Sequence, residues 1–133
     1  VKILIVDDDP GTLNALNAGL SSFGHQVIVA QRGSEALEII QGSDEELGAV
    51  DLVITDLKMP GTNGLDLIRS VRKTRPGLAS VLMTAFGNDD VRKEAVALGA
   101  CGYIEKPFTP ETLLQTIKSL EGQSKGRGDA QID

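Results

Sequence analysis

Five short apolar runs punctuate the chain: Ile3–Val6, Val27–Val29, Leu52–Ile54, Val81–Met83 and Gly102–Ile104. They are rich in β-branched residues and do not alternate with polar ones, which is how strands buried on both faces read. Between them lie segments whose apolar residues recur at helical spacing. Leu13, Leu16 and Leu20 share one face, as do Ala36, Leu37 and Ile40, and Leu65, Ile68 and Val71. The pattern repeats at Val91, Ala95 and Leu98, then at Leu113, Ile117 and Leu120. Punctuation agrees with the periods. Pro10 suits a helix start, Gly24, Gly42 and Gly99 suit helix ends, and Thr109-Pro110 offers an N-cap followed by proline at the first helical position. Strand and helix thus alternate five times. That predicts an α/β fold, a doubly wound five-stranded parallel sheet with helices on both faces.

Two stretches break the rhythm. Gly42–Gly48 reads as a polar loop or a frayed helix extension. From Gly122 to Asp133 the chain turns Gly-rich and polar, which predicts a domain over 1–121 followed by a linker or C-terminal tail over 122–133. The chain opens on Val1 without a methionine, as expected of a processed protein or a piece of a longer one.

Bulk properties narrow the function classes. A length of 133 residues suits one core, and with aromatics at 3% aliphatic side chains must build it. A net charge of −6 argues against direct nucleic-acid binding, which needs clustered Lys and Arg, but suits a site that gathers carboxylates around a cation. Cys101 is the single cysteine, so no internal disulfide forms and a reducing compartment is expected. No run has transmembrane length and no signal peptide is visible, which makes the expected location cytoplasmic, away from membranes.

In sheets of this kind ligands bind at the carboxyl ends of the strands. The first predicted strand ends in Asp7-Asp8-Asp9, the third in Thr55-Asp56, the fourth in Met83-Thr84-Ala85 and the fifth in Glu105-Lys106-Pro107. Parallel strands place these ends on one edge. Clustered carboxylates raise each other's pKa, and a hard divalent cation such as Mg²⁺ relieves the conflict. Lys106 supplies a fixed positive charge and Thr84 a hydroxyl donor. Phosphoryl transfer needs this equipment, and a carboxylate can serve as its nucleophile.

The segments Ile3-Leu4-Ile5-Val6-Asp7-Asp8-Asp9, Asp56-Leu57-Lys58-Met59-Pro60 with Gly64, Thr84-Ala85 and Lys106-Pro107-Phe108 resemble the response-regulator receiver family of two-component signalling. The resemblance runs from about Lys2 to Leu120. Each motif is weak alone; in this order, each at a strand end, they are specific. The resemblance implies a flavodoxin-like (βα)5 fold with strand order 2-1-3-4-5. It implies that Asp56 is the phospho-acceptor, served by Lys106 and Thr84. Mg²⁺ (or Mn²⁺) would be held by Asp8, Asp7, Asp56 and the backbone carbonyl of Lys58. Lys106 would pair with Asp56 at rest, and the Lys106–Pro107 bond would be cis. Thr84 and Tyr103 would form the switch, remodelling the surface of helix 4, strand 5 and helix 5. Lys58 and Phe86 stand where the family tunes phosphoryl lifetime. Implied partners are a histidine kinase or phosphotransfer protein, an output domain beyond the C-terminus or a separate protein, and a homodimer on phosphorylation.

Taken singly, each residue has a plainer reading. Asp7-Asp8-Asp9 reads equally as a solvated turn and cap, Asp56 as a turn residue, Thr84 as a cap and Lys106 as a solvated lysine. Asp9 suits a helix N-terminus, where negative charge is favourable. Tyr103 reads as packing, Cys101 as a buried small hydrophobe, His25 as a surface residue and Arg127-Gly128-Asp129 as chance. Two rival functions remain. A haloacid-dehalogenase-type phosphatase also carries Asp-x-Asp after its first strand, here Asp7 and Asp9, but Gly11 and the short chain fit it poorly. A non-phosphorylated module of the same fold would be favoured by loss of an acidic-pair residue, the acceptor or the lysine, and none is lost.

Overall fold

The computed structural model describes residues 2–41, 50–59, 61–85, 87–106 and 108–120. The expectations for the 42–48 loop, Pro60, Phe86, Pro107, Arg127-Gly128-Asp129 and the 122–133 tail fall outside this set.

Five strands form, each over a predicted apolar run: β1 (Lys2–Val6), β2 (Gln26–Ala30), β3 (Leu52–Asp56), β4 (Ala79–Thr84) and β5 (Gly102–Glu105). They alternate with helices α1 (Pro10–Ser22), α2 (Gly33–Gln41), α3 (Gly64–Thr74) and α4 (Asp89–Ala97). A fifth helix, α5, occupies 110–120. All pairings are parallel and the order is β2-β1-β3-β4-β5, the order the resemblance implies.

Alternation along the central strands sorts the core into two layers. Ile3 and Ile5 of β1, Leu52 and Ile54 of β3, and Val81 and Met83 of β4 face α1 and α5, packing on Leu13, Leu16, Leu20, Leu113 and Ile117. Leu4, Val6, Val53 and Leu82 face the other way, onto α2, α3 and α4. Ile3, Ile5, Leu20 and Ile54 are wholly buried. Each such side chain contributes about 1.5–3 kcal/mol relative to exposure.

Local chemistry sets the helix ends. Asp9 caps α1 by accepting from the Gly11 and Thr12 amides, with Pro10 in the first turn. Asn63 caps α3 through the Asp66 amide, and Asn88 caps α4 through the Val91 amide. Thr109 accepts from the Thr112 amide at 3.1 Å at the start of α5. Gly24 and Gly99 leave α1 and α4 at φ 90° and 106°, in the left-handed region that favours glycine.

Three expectations need correction. β2 and β5 are not buried on both faces: Val27 and Ile28 are half-buried, Val29 is exposed, and Tyr103 is half-buried. Both are edge strands, each hydrogen-bonded to a neighbour on one side only. Cys101 is half-buried against the α1/α5 layer because it stands in the turn before β5. His25, expected at the surface, is half-buried at the entry to β2. Among the described residues no helix is long and apolar enough to cross a membrane.

Candidate functional site

Strand order places the site. β1 feeds α1 and β2 on one side, while β3 lies on the other, so the crevice between the carboxyl ends of β1 and β3 is the switch point of the sheet. Asp7 and Asp8 leave β1 there and Asp56 closes β3. One carboxylate oxygen from each of Asp7, Asp8 and Asp56 lies within 4.8 Å of the others. Asp7 and Asp56 are buried and Asp8 is exposed.

Lys106 arrives from the end of β5, its amide donating to the Thr84 carbonyl at 2.9 Å. Its ammonium Nζ donates to Asp7 Oδ2 at 2.7 Å and lies 3.3 Å from Asp56 Oδ1. The expected partner was Asp56; the lysine instead spans both carboxylates, closer to Asp7. Asp7 has its other oxygen engaged too, with Oδ1 accepting from the Asp9 amide at 3.0 Å.

The electrostatics follow from burial. Desolvation, then the charge of Asp7, hold the Asp56 carboxyl above its ordinary pKa, against the opposing pull of Lys106. Burial also works against the Lys106 charge, but the hydrogen bond and charge of Asp7, with those of Asp56, outweigh it and hold the ammonium above the usual lysine value. Three carboxylates facing one ammonium leave the cluster rich in negative charge. That donor set, all oxygen and partly open to solvent at Asp8, fits a hard divalent cation. Asp8 also lines an open groove together with Lys58, Met59, Gly61 and Asn63.

Thr84 ends β4 and is buried one residue beyond Met83, the register partner of Asp56. Ala85 after it is exposed. Tyr103 of β5 packs on the Leu57, Leu65, Ile68, Leu82 and Ala95 cluster, with its hydroxyl buried. Burial, then the charge of Glu105, raise the pKa of that phenol.

Two glycines matter for reasons the sequence does not disclose. Gly64 opens α3 directly against the Asp56 backbone, where a Cβ would overlap the Asp56 carbonyl oxygen. Its amide donates to the Leu57 carbonyl at 2.8 Å. A glycine in the first turn of an otherwise strong helix was the available hint. Gly87 touches Tyr103 and carried no signal at all.

Comparison with known proteins follows the same line. The model of the response regulator receiver domain matches residues 3–118. Transcriptional regulatory protein GlrR of Escherichia coli K12 is 34% identical over 92% of this chain and 26% of its own length. Response regulator MprA of Mycolicibacterium vanbaalenii is 38% identical over 90% of this chain and 50% of its own length. The chain therefore spans at most about half the length of these curated relatives. A CheY-like receiver domain protein from Methanospirillum hungatei JF-1 superposes with a TM-score of 0.85 at 32% identity, covering 94% of this chain and 97% of that one.

Proposed function

This chain belongs to the response regulator receiver domain family, and on that footing we propose that it is a Mg²⁺-dependent switch phosphorylated on Asp56. The observation that carries the reading is the Asp7–Asp8–Asp56 cluster with Lys106 set between Asp7 and Asp56.

The donor is a phosphohistidine on a partner kinase or phosphotransfer protein. A carboxylate oxygen of Asp56 attacks phosphorus, the phosphorus–nitrogen bond breaks, and the imidazole leaves with the electron pair. The product is an acyl phosphate. Asp56 is assigned as the nucleophile by its place at the end of β3 within the family motif it carries, beside an Asp7 whose two oxygens both accept hydrogen bonds. Asp8, Asp7, Asp56 and the Lys58 carbonyl would hold the cation (Mg²⁺ or Mn²⁺), which when bound neutralises charge on the phosphoryl oxygens. Lys106 contributes its positive charge at the same oxygens, and Thr84 a hydroxyl donor. Thr84 and Tyr103 then relay the change to the surface of α4, β5 and α5. Moving such an equilibrium from about 1:99 to 99:1 takes roughly 5.5 kcal/mol of differential stabilisation.

The longer relatives support an output domain beyond the C-terminus, with a separate protein target or a phosphorylation-linked homodimer as the alternatives. The acidic balance keeps nucleic acid off this domain, and the lone cysteine suits the cytoplasm.

Incubation with acetyl phosphate and Mg²⁺ tests the reading. One acid-stable, base-labile phosphoryl group per chain is expected, absent from Asp56→Asn. Full labelling of that variant sinks the assignment.

A further inference from the structure

Gly87 lies between β4 and α4, and the mechanism above gives it no task. Its backbone does not demand glycine, since the positive-φ glycines among the described residues are Gly24, Gly61 and Gly99. Space does. A Cβ at this position would overlap the Tyr103 hydroxyl outright, lie 2.7 Å from Tyr103 Cζ and 3.1 Å from Thr84 Cγ2. The hydroxyl buried there has no hydrogen-bond partner among the described residues. A buried polar group without a partner is costly, so shape and the ring's apolar contacts hold Tyr103 in this seat, not a polar bond. An open groove between α4 and β5, lined by Arg92, Val96, Cys101, Gly102 and Glu105, has Tyr103 itself as one wall.

We propose that Gly87 is the positioning residue for Tyr103: lacking a Cβ, it admits the phenol to its buried seat, and any larger residue there displaces Tyr103 toward the α4–β5 groove. The seat exists whatever the chemistry at Asp56; its use in signalling rests on the phosphorylation reading.

The protein has one tyrosine and no tryptophan, so tyrosine emission reports this ring alone. On the unphosphorylated chain, Gly87→Ala is expected to raise acrylamide quenching toward that of free tyrosine amide. Unchanged quenching overturns the proposal. Urea unfolding supplies a second arm. The loss of midpoint caused by Gly87→Ala should shrink from the Tyr103 background to Tyr103→Phe, which removes the hydroxyl, and be smallest in Tyr103→Ala, which removes Cζ as well and leaves only the Thr84 contact. An equal loss in all three backgrounds overturns the proposal, because the clash would then lie elsewhere.

Discussion

At Asp56, burial and the neighbouring Asp7 carboxylate push the carboxyl pKa up, and Lys106 only partly opposes them. The folded chain therefore prefers the neutral acid more than the unfolded chain does. Stability from this group is full below the unfolded carboxyl pKa and is lost as pH rises through the folded value. Asparagine keeps the shape and removes the charge. Asp56→Asn should thus stabilise the metal-free protein by about 0.5–2 kcal/mol at neutral pH. The gain should vanish in acid, where the native carboxyl is protonated. Urea midpoints at the two pH values check this, and a pH-independent difference would count against it. Asp9 runs the other way. The Thr12 hydroxyl, then the Gly11 amide, lower its pKa, so its cap is strongest above the ordinary carboxyl range and fails as pH falls through the lowered value.

At the scale of elements, the α3 N-terminus buttresses Asp56. Asn63 caps the helix, and Gly64 lets its first turn approach the Asp56 carbonyl. Neither neighbour is a flexible side-chain end; the crowding is backbone on backbone. Gly64→Ala should cost about 1–3 kcal/mol through overpacking and lower the rate of Asp56 labelling. Gly77 provides the control. A Cβ there meets nothing within 4 Å, so Gly77→Ala should stay within about 0.5 kcal/mol of the parent. Equal urea midpoints for the two variants would remove the buttress argument. The helices themselves were readable from spacing, because their buried stripes hold the predicted residues: Leu13, Leu16 and Leu20 in α1, Leu65, Ile68 and Val71 in α3.

At the scale of the whole molecule, the sheet gathers groups that are far apart in the chain; Asp7 and Lys106 are hydrogen-bonded across a separation of 99 residues. A cation held by that gathering would link metal binding to folding. At about a hundred times its dissociation constant, Mg²⁺ should add roughly 2.7 kcal/mol of stability to the parent. Asp8→Ala should lose most of that increment while leaving metal-free stability within about 0.5 kcal/mol, because Asp8 is exposed and packs no core. Thermal scans with and without Mg²⁺ read both quantities. An undiminished Mg²⁺ shift in the variant would remove Asp8 from the metal set.

The number, type and approximate limits of the elements were written along the chain, because buried central strands read as short unbroken apolar runs and helices repeat their apolar face every 3.6 residues. The acidic run, Asp56, Thr84 and Lys106 were legible for a related reason: each follows a strand, and parallel strands end on one edge. Three things required the packed molecule. Exposure of β2 and β5 follows from which strands lie at the edge, which local pattern does not encode. The division of Lys106 between Asp7 and Asp56 is a matter of ångströms set by side chains from β1, β3 and β5. The need for glycine at 64 and 87 comes from the Asp56 carbonyl and the Tyr103 hydroxyl, neighbours only once the chain has folded.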